Sequence, residues 1–320
     1  MNTGKLFLIA ATALGLATSA QAADHLRVGR SPGFAFAYVP LEIAKSQGIL
    51  QKEGIDIETI SFEGASKMDL GMTSGSIDIA LGSPMEFVAI AKGMPAKGVA
   101  IIARPVRELA ILVPYDSPVK SIKELKGKTI GIATLGSITQ WAALELARSQ
   151  GWKPDDIKLV SISSSAGAAT AAMRQHQVDA DVGNLMTGVV LEKKKQARVL
   201  ALASDYASDF IMHEMSASDA LIKSNPDAIR RFVKAWFEAT AYMRTHKAET
   251  VAAAMPVTNL GAEDESQEYD LLMPEITSSG KHEPAMMQRA ADSFVELKLL
   301  DHKPDMEKFY TNKFLPKEQG

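Results

Sequence analysis

Short apolar runs alternate with amphipathic stretches along most of the chain. His25 to Gly29 predicts a strand, and Phe34 to Gln47 predicts a helix closed by Gly48. Strands follow at 55–62, 77–81 and 99–103, separated by helices at 65–73 and 84–92. The second half keeps the same order. Strands are expected at 129–133, 157–162, 178–182 and 199–203, with helices at 137–149, 166–175 and 185–195 between them. Such alternation implies a largely parallel sheet covered on both faces. Further on, Phe232, Trp236 and Met243 make one apolar stripe on a helix over 226–246, and 284–300 predicts another helix. The acidic stretch 261–268 reads as a surface loop or a helix start.

The two halves also repeat in letters. Leu41 to Ile49 (LEIAKSQGI) returns as Leu144 to Trp152 (LELARSQGW), and Ser76 to Ser83 (SIDIALGS) returns as Gln177 to Asn184 (QVDADVGN). Two like units predict two doubly wound α/β lobes with a cleft between them, a favoured place for a small ligand. Strands 109–115 and 210–215 read as the crossing points. The expected division is residues 23–113 with 206–320 in the first lobe and 114–205 in the second.

Residues 1–22 read as an export signal: Lys5, an apolar run from Leu6 to Ala17, and Ala20-Gln21-Ala22 as the cleavage site. A periplasmic location follows. The formal charge of −3 gives no support to nucleic-acid binding. The chain has no cysteine, which excludes thiol nucleophiles and thiolate metal sites, and its six histidines show no metal-ligand spacing. Neither a phosphate-binding glycine loop nor a Gly-x-Ser-x-Gly elbow occurs.

In open α/β sheets, ligands bind beyond the carboxyl ends of strands, where helix N-termini favour anions. Four loops fit. Ser31 and Phe34 follow the first strand, Ser83 follows the third, Gly136, Ser137 and Thr139 head a helix of the second half, and Asn184 ends its strand. Ser137 and Ser83 also read as plain helix caps, and Phe34 also reads as core. Arg107, with Arg104 as the alternative, is the candidate counter-charge beside the crossing, and Ser163-Ser164-Ser165 is a candidate anion nest.

Several segments taken in order carry a family resemblance. They are Leu41 to Leu50, Gly75-Ser76-Ile77-Asp78, Leu112 to Pro118, Ile122 to Lys128 with Gly136-Ser137, Asn225-Pro226, and Phe309-Tyr310 with Phe314-Leu315. The chain resembles the solute-binding proteins of nitrate, sulfonate and taurine ABC importers. This implies the type II periplasmic binding protein fold, lobe closure over a small organic anion, an ABC permease of the inner membrane as partner, and a monomer without cofactor. Sulfonate binders of that family carry a Trp-rich segment where this chain has Leu185-Met186-Thr187. The resemblance thus admits an aromatic carboxylate or sulfonate beside an alkanesulfonate or a taurine-like solute. Two enzyme groups share the resemblance, one making a thiamine pyrimidine and one removing sulfite from aromatic sulfinates. Both depend on cysteine, so binding without catalysis is expected. The alternatives are an enzyme on this scaffold and a receptor for a membrane sensor.

Overall fold

The computed structural model describes residues 23–317, apart from 164, 208 and 209. The export signal at 1–22 and Ser164 of the serine run therefore lie outside the described residues. The chain first builds β1 (Asp24–Arg30), α1 (Val39–Ser46), α2 (Ile49–Lys52), β2 (Ile55–Ser61), α3 (Ala65–Ser74), β3 (Ile79–Gly82), α4 (Glu86–Ala91) and β4 (Ala96–Ala103). It then builds β5 (Leu109–Pro114), β6 (Thr129–Ile132), α5 (Ile138–Ser149), β7 (Lys158–Ser161), α6 (Ala166–Arg174), β8 (Ala180–Asn184), α7 (Leu185–Lys193) and β9 (Ala197–Leu202). It returns through β10 (His213–Ser218) and closes with α8 (Asp219–Ser224), α9 (Pro226–Thr245), α10 (Lys247–Thr258), α11 (Ala262–Leu272) and α12 (Pro284–Glu296).

Two five-stranded sheets result, in the orders β2-β1-β3-β10-β4 and β7-β6-β8-β5-β9. In each, the strands from one half of the repeat pair in parallel, and one strand, β10 or β5, runs antiparallel to its neighbours. The molecule is thus two mixed-sheet α/β lobes, as the alternating pattern implies. One boundary needs correction. The sequence division places Leu109–Val113 in the first lobe, but β5 pairs with β8 and β9 and belongs to the second. The first crossing therefore lies between β4 and β5, not at residue 114. Residues 210–212 precede β10 rather than belonging to it.

The repeat has a physical anchor. Asp78 accepts the Arg27 amide at 2.9 Å while its own amide donates to Arg27 O at 2.8 Å. Asp179 does the same with Thr129, at 2.9 and 2.8 Å. In each lobe this carboxylate sets the register of the strand it precedes against the lobe's first parallel strand.

The main core runs through both lobes, with Trp141, Trp236, Tyr38, Phe36, Phe87 and Phe232 among its largest buried side chains. α9 buries Ile229, Phe232, Val233, Trp236, Thr240 and Met243, the face its three- and four-residue spacing prescribes. Asn225 caps it by accepting the Ala228 amide at 3.1 Å, and Pro226 takes a first-turn position where no N–H is needed. Of the two readings of 261–268, the helix start holds: the stretch opens α11.

Candidate functional site

A cavity of about 80 Å³ lies between the lobes. Strand ends and helix heads from both lobes build its wall, and much of the lining is apolar: Pro32, Phe34, Leu109, Ile138, Val182 and Met212. The lobes meet across its mouth. Ser66 Oγ, at the head of α3, donates to Leu135 O at 3.0 Å. Gly64 lies so close to Thr134 that a Cβ there would come within 2.8 Å of Thr134 Cγ2.

Ser31, Phe34 and Ser83 reach the wall from the first lobe, and Ser137, Thr139 and Asn184 reach it from the second. Gly136 does not line it. It is exposed at the lip, with φ +77°, and shapes the turn before α5. Arg107 does not line it either. Its side chain is 57 % exposed and faces Glu275 at 3.5 Å. The expected counter-charge is thus turned away from the cleft, because the crossing aims the neighbouring Glu108 inward instead. Arg104 is likewise absent from the wall, and its guanidinium donates to Met286 Sδ at 3.9 Å.

The polar groups divide into engaged and open ones. Ser137 Oγ donates to Thr134 O at 2.6 Å and accepts the Gln140 amide at 3.4 Å, so it is a helix cap. Thr139 Oγ1 accepts the Ala133 amide at 2.9 Å and sits 2.8 Å from Ser137 Oγ. Both hydroxyl protons are therefore spent locally. The open donors at this helix head are the first-turn amides of Ile138 and Thr139, which have no intrahelical acceptor. Asn184 Oδ1 accepts the amides of Met186 and Thr187 at 2.8 and 3.1 Å, and Leu185 N donates to Glu108 O at 2.8 Å, so the head of α7 is fully capped. Ser83 Oγ accepts the Met85 amide at 3.3 Å. Ser83 thereby keeps its proton, and the Ser31 hydroxyl has no partner among the described residues.

Three ionisable residues of the wall are absent from the sequence-based candidates. Glu108, on the first crossing, joins the lobes: Oε1 accepts from Asn184 Nδ2 at 3.2 Å, and Oε2 lies 2.8 Å from His213 Nε2. The other ring nitrogen of His213 is 3.0 Å from the Tyr38 hydroxyl and 3.1 Å from Gly82 O. The third is Asp181, in the middle of β8. Burial alone pushes its carboxyl up to about 7. The repeat holds the signal for it, since Asp181 stands where the first half has Ala80.

The family model described as NMT1/THI5 like matches residues 35–250. The chain belongs to that family. Among curated relatives, a 4-amino-5-hydroxymethyl-2-methylpyrimidine phosphate synthase of Saccharomyces cerevisiae is 25 % identical over 219 residues, covering 64 % of this chain and 63 % of the synthase. This chain thus spans less than two thirds of that enzyme's length. The riboflavin-binding protein RibY of Chloroflexus aurantiacus is 24 % identical over 301 residues, covering 89 % of this chain and 84 % of that protein. The periplasmic aliphatic sulphonate binding protein SsuA of Escherichia coli superposes with a TM-score of 0.73 at 24 % identity, covering 89 % of this chain and 91 % of that one. The proteins similar to this chain thus include ones named for binding and one named for synthesis, and the two-lobed architecture is the periplasmic binding protein fold.

Proposed function

We propose that this protein is a periplasmic solute-binding receptor of an ABC importer, which captures a small organic molecule between its lobes and presents it to an inner-membrane permease. The observation that carries this reading is the cavity, walled by both lobes and shut at its lip by Ser66 and Leu135. A closed lip gives a docking partner a shape that differs from the empty, open form, and a bound solute favours it. The solute's acceptor-rich or anionic end sits at the open amides of Ile138 and Thr139, with the Ser31 and Ser83 hydroxyls opposite. Phe34 and the aliphatic wall desolvate its body.

The alternative is an enzyme on this scaffold. His213 is the side chain best suited to proton transfer, yet both its ring nitrogens are engaged, by Glu108 on one side and by Tyr38 and Gly82 on the other. This supports binding over chemistry. A thermal-shift screen of small organic metabolites tests the reading, followed by small-angle scattering of each hit. The expected result is a ligand that raises the melting temperature, compacts the particle and is recovered unchanged. Turnover of that ligand by the purified protein would favour the enzyme instead.

A further inference from the structure

Asp181 is a charged residue placed where the fold has no structural use for it. It sits in the centre of an apolar strand, only 3 % exposed. Neither oxygen makes a hydrogen bond or ion pair with a described residue. The carboxyl lies over the sheet between two glycines. A Cβ at Gly131 would stand 2.8 Å from one oxygen, and a Cβ at Gly183 would stand 2.9 Å from the other. Gly131 is the cross-strand partner of Asp181, and Gly183 is the next residue of β8 on the same face, so the bare patch is built from both strands. Asp181 lines the cavity.

The remaining charge on the wall is accounted for. Glu108 is doubly engaged, and among the described residues no lysine or arginine lines the cavity. An unpaired buried carboxyl is costly to keep, and stability alone would have favoured the alanine that the repeat carries at position 80. The ligand is the group left to answer it.

Building on the receptor reading, we infer that the solute carries a nitrogen-bound hydrogen-bond donor, an amine or amidine-type N–H, which docks on Asp181 while its acceptor end meets the head of α5. The substrate class is thus a bipolar organic molecule with an apolar body, not a simple alkanesulfonate or an inorganic anion. Selection arises because a solute lacking the donor leaves the carboxyl buried and unanswered.

The test uses a matched pair sharing one anionic end, 4-(aminomethyl)benzoate and 4-methylbenzoate, titrated calorimetrically up to 10 mM into the wild-type protein and Asp181→Asn. Circular dichroism confirms that the variant folds. In the wild type the amine is expected to bind at least tenfold more tightly than its methyl partner. The Asn variant is expected to lose about 10- to 100-fold in affinity for the amine and to abolish the preference. Equal affinities, a preference for 4-methylbenzoate, a preference that survives in Asp181→Asn, or silence of the amine would each overturn the inference. A hit in the metabolite screen together with a silent amine would leave the receptor reading standing, which separates the two failures.

Discussion

Replacing Asp181 by Asn keeps the shape of the side chain and removes its titration. Burial alone pushes the carboxyl up to about 7, against about 3.9 for an exposed aspartate. As pH rises the unfolded chain releases this proton first, and each unit between the two values costs the folded form about 1.4 kcal/mol. The penalty is absent at low pH, grows from about pH 4 and is complete above about pH 7. Worked through, it is below about 1 kcal/mol at pH 4, about 1.5 kcal/mol at pH 5 and about 4 kcal/mol at pH 8. Water entering the cavity solvates the carboxylate, so these are upper bounds. Glu108 and His213, the other titratable groups on the wall, are present in both proteins and largely cancel in the difference. Urea denaturation of the ligand-free protein, followed by circular dichroism at pH 5 and pH 8, measures it. The variant should be the more stable protein, with an advantage that widens by on the order of 2 kcal/mol between the two conditions. An advantage independent of pH, or a variant less stable than the wild type at pH 8, would refute the unpaired-carboxyl account.

Asp78 should behave in the opposite way. Burial pushes its carboxyl up, but the hydrogen bonds from the Arg27 side chain and amide, with the Arg27 charge, outweigh that and leave it below the usual range. Asp78→Asn should therefore destabilise at neutral pH, with the deficit closing as pH falls through the lowered folded value; a deficit unchanged at pH 3 would count against the pairing. Gly64→Val should hold the lobes apart, since the site has φ +99° and no room beside Thr134. Scattering should show an expanded particle and a solute affinity at least tenfold weaker, with far-ultraviolet dichroism unchanged; full compaction on ligand addition would contradict this. Glu108→Ala strands buried His213 and the Asn184 amide, and should cost about 2–4 kcal/mol in urea denaturation. A loss under 0.5 kcal/mol, inside the usual spread of surface substitutions, would show that the clamp holds nothing.

Much of the architecture was legible because burial writes a regular pattern. β3 and β4 are apolar runs, α9 carries a continuous stripe, and the duplicated segments set the strand order twice. α10 escaped notice because alanine dominates it and Pro256 lies inside it, so no stripe stands out. The stretch 261–268 reads equally as a loop or a helix start for a similar reason: the acidic first turn of α11 hides the buried face of Glu265, Glu268, Tyr269 and Leu272. At the site, loop positions after strands located Ser31, Ser83, Ser137 and Asn184, since strand ends must meet the cleft in this topology. Which hydroxyls remain open was not legible, because that depends on local caps such as Thr134 O taking the Ser137 proton. Arg107 shows the limit most plainly. Two adjacent residues on a crossing point opposite ways, and only the folded backbone decides that Glu108 turns inward.

If the receptor reading holds, the bond between Ser66 and Leu135 bears on the timing of exchange as well as on the shape of the closed form. In the receptor reading a captured molecule departs only after the lip parts, so a solute that grips both lobes lengthens its own stay by making that parting rarer. In that reading, a membrane acceptor that levers the lip open would govern the pace of delivery without touching the cargo.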